Sequence, residues 1–84
     1  MKTELEYRNL AVDLARISLW TQTGKRNLVS IFWPKIVDNY AMDSKIVGKR
    51  TVGGWIKRID TYGESDWYKS AEDALTLSNL LIRS

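Results

Sequence analysis

A chain of 84 residues without one cysteine or histidine has only apolar packing to hold its fold together. No disulfide can staple it, and no thiolate or imidazole is there to bind a metal or serve as general base. A domain this small buries about 60–65% of the surface its unfolded chain exposes. Its stability is therefore expected to be a few kcal/mol. The apolar fraction of 44% is ordinary for a globular chain. Residues 1–84 read as a single domain, with no repeat and no linker. No stretch approaches the ~20 apolar residues of a membrane span. Glu4 and Glu6 make the start acidic, unlike a signal peptide, so a cytoplasmic protein away from membranes is expected.

The first element is a helix from about Glu4 to Trp20. Thr3 and Glu6 form a T-x-x-E capping box, and Gly24 suits the exit. Tyr7, Leu10, Leu14 and Ile17 make one apolar stripe at helical spacing. A second stripe, Leu5, Val12 and Leu19, points nearly the opposite way, flanked by Arg8 and Arg16. A helix apolar on two sides is either covered by another segment or presents one side to a partner. That second stripe is thus a candidate interface, which a homodimer could also close.

Asn27 to Val37 contains Leu-Val-Ser-Ile-Phe-Trp, a short β-branched and aromatic run that predicts a strand ending at Pro34. A loop is expected from Asp38 to Asp43. Lys45–Val52 and Trp55–Tyr62 flank Gly53-Gly54, the signature of a hairpin with a type I′ turn. Tyr62 to Ser65 reads as a further turn, and Trp67 to Lys69 as a short added strand. A last helix is expected from about Ala71 to Arg83, capped by Ser70. Its buried side would be Ala74, Leu77, Ser78, Leu81 and Ile82; its wet side would be Glu72, Thr76, Asn79 and Arg83. The expected class is α+β, in the order α-β-β-β-(β)-α, with an antiparallel sheet and two helices on one face.

Charge is placed unevenly. Residues 24–58 hold eight basic and two acidic side chains, a net of +6, and the remainder is net −3. Such a basic block points to an anionic partner, nucleic acid or an acidic protein face. In a Gly-Gly hairpin Val52 would face Trp55, Arg50 would face Lys57, and Lys49 would face Arg58. Opposed like charges destabilise a sheet, which points either to a basic prong relieved by an anionic partner or to a longer loop that shifts every pair. Lys49, Arg50, Trp55, Lys57 and Arg58 are the candidate contact residues. Ile46 to Arg58 admits a second reading. An apolar-Gly turn before R-T-V-x-x-W-I-K-R resembles the turn and recognition helix of helix-turn-helix regulators. The resemblance implies that Lys49, Arg50, Lys57 and Arg58 meet phosphates and base edges.

Gly48-Lys49-Arg50-Thr51 does not complete a phosphate-binding loop. Asp43 stands where its first glycine belongs, and Arg50 where Ser or Thr would follow the lysine. No nucleophile, base and orienting group can be identified together, and no cofactor or metal is expected. The reading is a non-catalytic, stoichiometric protein-binding module: an inhibitor, adaptor or regulator of a protein or nucleoprotein. In size and layout the chain resembles the small inhibitors that phages encode, anti-CRISPR proteins among them, which implies a host-cell cytoplasm as its place of action. A DNA-binding regulator that uses residues 45–62 is the alternative.

Overall fold

The computed structural model of the chain describes residues 2–62 and 65–83. The described residues form four helices and one minimal hairpin: α1 (Glu4–Gln22), α2 (Arg26–Tyr40), β1 (Ile46–Val47), β2 (Arg50–Thr51), α3 (Val52–Tyr62) and α4 (Trp67–Arg83). The expected α+β sheet with two helices on one face is thus replaced by a helical core. The turn read at Tyr62 to Ser65 includes Gly63 and Glu64, which lie outside the described residues.

α1 forms as its sequence predicts. Thr3 Oγ1 accepts from the Glu6 amide (3.2 Å) and Glu6 Oε1 accepts from the Thr3 amide (3.1 Å). Gly24, at φ +75°, turns the chain out of the helix. α4 runs antiparallel beside α1. Ser18 Oγ donates to the Ala71 carbonyl (2.9 Å) and Ser78 Oγ donates to the Ala11 carbonyl (2.6 Å). Seven residues up one helix therefore match seven residues down the other. Ala11, Ser18, Ala71, Ala74 and Ser78 are all buried, and their small side chains bring the two backbones close. Below this seam, Leu10, Leu14 and Ile17 of α1 meet Leu77 and Leu81 of α4 and Val52, Ile56 and Ile59 of α3 in one core.

The expected strand at Asn27–Val37 is a helix. Its β-rich composition is outvoted by position: Val29, Trp33, Ile36, Val37 and Tyr40 recur at helical spacing and pack on the core. Ile36 alone is fully buried among the fifteen residues of α2. Pro34 sits inside α2 rather than at a strand end. Its missing N–H and its ring fall on an exposed side of the helix, where water can serve the Ser30 carbonyl.

Gly53-Gly54 is not a turn. Both residues lie in the first turn of α3, and none of the expected cross-strand pairs exists. A Cβ on Gly53 would come within 2.5 Å of the Ala41 carbonyl oxygen and 2.9 Å of that of Asp43. The glycine is needed because α3 begins against the backbone that leaves α2. There the Gly53 amide donates to the Asp43 carbonyl (3.0 Å) and the Val52 amide to that of Lys45 (2.8 Å). The real hairpin lies earlier. Ile46 pairs with Thr51 and Val47 with Arg50 across a Gly48-Lys49 loop. Gly48, at φ +62°, supplies the positive φ that a type II′ turn requires at its first loop position.

The expected strand at Trp67–Lys69 is the first turn of α4. Asp66, not Ser70, caps it, accepting from the Lys69 amide at 3.1 Å. Ile82, expected on the buried side, is 67% exposed.

Candidate partner-binding site

The five residues singled out in the basic segment arise from two elements joined without a spacer. Lys49 and Arg50 belong to the hairpin, and Trp55, Lys57 and Arg58 to α3. Thr51 Oγ1 accepts from the Gly54 amide (2.9 Å), so the strand passes directly into a capped helix. This brings Lys49, Arg50, Trp55 and Arg58 around one groove of about 250 Å³, closed on the far side by Asp73, Thr76 and Leu80 of α4.

Trp55 holds the groove in place. Its Nε1 donates to the Val47 carbonyl (3.0 Å), which ties α3 to the hairpin. The Arg50 guanidinium stands 5.8 Å from the indole centroid, within cation–π range. Arg58 Nε donates to Asp73 Oδ2 at 2.9 Å. That hydrogen bond raises the guanidinium pKa above its ordinary value. The groove therefore offers two cations, Lys49 and Arg50, that form no ion pair among the described residues, and a third, Arg58, already matched by a carboxylate.

Lys57 is not part of it. One residue before Arg58, it projects along the other flank of α3, with Nζ 3.8 Å from Met42 Sδ. The basic ribbon expected from the hairpin reading is thus split between two sides of one helix.

The second stripe of α1 stays in solvent. Leu5, Val12 and Leu19 are half to two-thirds exposed, and among the described residues neither a loop nor the C-terminal helix covers them. Arg8 pairs with Glu4 (3.3 Å) and Arg16 with Asp13 (3.9 Å) along the helix surface.

Asp73, Thr76 and Leu80 were not singled out from sequence. On a helix they lie on the side away from Leu75 and Ile82, and that placement alone could have marked them. A second cleft, of about 320 Å³, opens between α2, α3 and the start of α4. Trp33 and Trp67 line it, and the Arg26 guanidinium stacks 4.6 Å from the Trp67 ring. Trp33 Nε1 donates to Asp60 Oδ1 (2.9 Å), whereas Trp67 Nε1 is buried without a partner among the described residues.

Among the described residues no three Asp, Glu, His or Cys side chains gather to hold a metal ion. No helix there is long and apolar enough to cross a membrane. Comparison with family models, curated proteins and solved structures returns no match to this chain.

Proposed function

We propose that this chain is a non-catalytic module that binds a protein or nucleoprotein stoichiometrically, through the groove between its hairpin, α3 and α4. This is the role of an inhibitor, adaptor or regulator, such as small phage-encoded inhibitors of the anti-CRISPR type fill. The observation that carries the reading is the convergence of Lys49, Arg50 and Arg58 on a cleft floored by Trp55 and Leu80. A cleft that is basic at the rim and aromatic at its base suits an acidic side chain set beside an apolar anchor. Two features favour protein over duplex DNA. Asp73 places a carboxylate inside the groove, where a phosphate would be repelled. Lys57 falls on the opposite flank, so the cations do not form one track along a backbone.

Direct DNA binding is the second reading. It is favoured by residues 52–62 being helical, with Lys57, Arg58 and Thr61 exposed on α3. Against it, eleven residues, the hairpin among them, separate α2 from α3, where a helix-turn-helix has a turn of three or four.

The test compares the intact chain with a Lys49→Glu/Arg50→Glu variant. Each is used to capture partners from lysate of the source organism and, separately, titrated with labelled duplex and single-stranded DNA. The expected result is one stoichiometric protein retained by the wild type and lost with the variant. Captures that are empty, or identical for the two chains, would count decisively against the groove. DNA affinity that falls by about one power of salt concentration per phosphate contact would favour the second reading.

A further inference from the structure

The outer side of the α1–α4 seam carries two rows of apolar side chains, not one. Leu5, Val12 and Leu19 repeat every seven residues on α1; Tyr68, Leu75 and Ile82 repeat every seven on α4. All six are exposed, from 43% at Leu75 to 83% at Tyr68. Position on the helices puts both rows on the same side. Leu75 lies four residues beyond Ala71 and three before Ser78, the two positions that touch α1, and turns away from the core. Ile82 and Arg8 share one cleft where the two helices meet.

A seven-residue repeat is the period that helices keep when they wrap around other helices at about 20°. A flat or irregular partner would not require it on both helices at once. The amount of surface also fits. Six side chains of these sizes and exposures offer roughly 700 Å² per chain, against about 800 Å² per partner in a standard interface.

The edges of the face are matched to each other. Asn9 and Arg16, seven apart, border it on α1; Glu72 and Asn79, also seven apart, border it on α4. The Ser18–Ala71 and Ser78–Ala11 hydrogen bonds set Arg16 level with Glu72 and Asn9 level with Asn79. Within one chain these edges lie on opposite sides of the face. A two-fold axis parallel to the helices lays α1 over the α4 of a second copy and brings the edges together. Arg16 then meets the partner's Glu72, and Asn9 meets the partner's Asn79, each twice by symmetry. Glu72 forms no ion pair among the described residues, and Arg16 holds Asp13 only at 3.9 Å.

We propose that the outer face of α1 and α4 binds a second copy of this chain and closes a two-fold dimer across a four-helix interface. This inference does not depend on the groove, which lies on the other side of α4.

Sedimentation equilibrium of the full chain, with circular dichroism as a control for folding, tests it. The wild type should show about twice the 9.7 kDa chain mass. Val12→Glu/Leu75→Glu should be a folded monomer, since both sites are exposed in the single chain. If that variant fails to fold, Leu5→Lys/Ile82→Lys, at sites two-thirds exposed, repeats the test. Glu72→Arg should weaken the dimer roughly tenfold or more, and adding Arg16→Glu should restore it. Lys49→Glu/Arg50→Glu should leave the mass unchanged, which separates this result from failure of the groove reading. A wild type that stays monomeric at several hundred micromolar overturns the proposal. So does a dimer indifferent to Val12→Glu/Leu75→Glu, or one whose Glu72→Arg defect Arg16→Glu does not repair.

Discussion

The α1–α4 pair and the stretch from α2 through the hairpin to α3 occupy the same small core but are held in different ways. The pair is built on periodicity. Leucine, alanine and serine recur at helical spacing, and side chains interlock along a straight seam. The second stretch is built on single contacts. The Tyr7 hydroxyl donates to Asp43 (2.9 Å), the Lys45 amide donates to the same carboxylate (2.9 Å), and the Gly53 amide donates to the Asp43 carbonyl. Trp33 reaches Asp60, and Trp55 reaches Val47. A seam made of repeating side chains tolerates small adjustments along its length. A junction made of backbone contacts fails at one atom.

The sharpest way to break this contrast is in the seam's core. Leu77→Ala, at a site of zero exposure, should cost about 3–5 kcal/mol in urea denaturation. That rivals the whole stability of a small domain. Val37→Ala, on the partly buried face of α2, should cost about 1–2 kcal/mol. Equal losses at the two sites would erase the distinction.

Next in size is the junction. Gly53→Ala should destabilise by about 2–4 kcal/mol, because its Cβ meets two backbone oxygens that cannot move independently. At Gly54 the added atom meets side chains alone, the Thr51 hydroxyl at 3.1 Å and, in ordinary contact, Arg50 Cβ at 3.7 Å. Gly54→Ala should therefore stay within about 1 kcal/mol of the wild type, since better helix propensity offsets a mild contact. If the two alanines behave alike, α3 does not begin against the α2 exit.

Pro34→Ala, on the exposed side of α2, should stabilise the chain by about 1–2 kcal/mol by restoring an i→i−4 donor. A loss of stability in thermal melts would mean that the proline ring has a packing role.

The smallest effect is a dependence on pH. Burial, and then the Asp43 carboxylate, push the Tyr7 phenol up to about 12 from an ordinary 10. The folded chain therefore holds this proton more tightly than the unfolded chain does. The contact contributes fully below pH 10 and is lost as pH climbs from about 10 to 12. Tyr7→Phe should be about 1 kcal/mol less stable at neutral pH and should lose less over that alkaline range. Parallel losses in the two proteins would remove Tyr7 as the cause.

The same contrast explains what could be read from the sequence. α1 was legible to its capping box, and on the buried side of α4 Ala74, Leu77, Ser78 and Leu81 were legible, whereas Ala71 was missed and Ile82 was wrongly included. At Ile82 the helix is apolar beyond the width of its buried stripe. α2 was not legible, because Leu-Val-Ser-Ile-Phe-Trp favours a strand locally and only contacts distant in sequence make it helical. Gly53-Gly54 misled for a related reason. Two glycines signal a need for space without saying whether a turn or a neighbouring backbone requires it. The cations of the site were found, with Lys57 misplaced. The α4 wall of the groove was not found, because it depends on how α3 packs.

The hairpin tip is only Gly48 and Lys49, and of the four strand residues only Val47 is buried. Adding or deleting one residue there would turn Val47 and Arg50 to opposite sides at a stroke. The tip's length therefore fixes two things at once, one inside the molecule and one outside. Mutational drift is free to repaint the groove residue by residue, but an insertion or deletion at the bend would remove an anchor and scramble recognition in the same event.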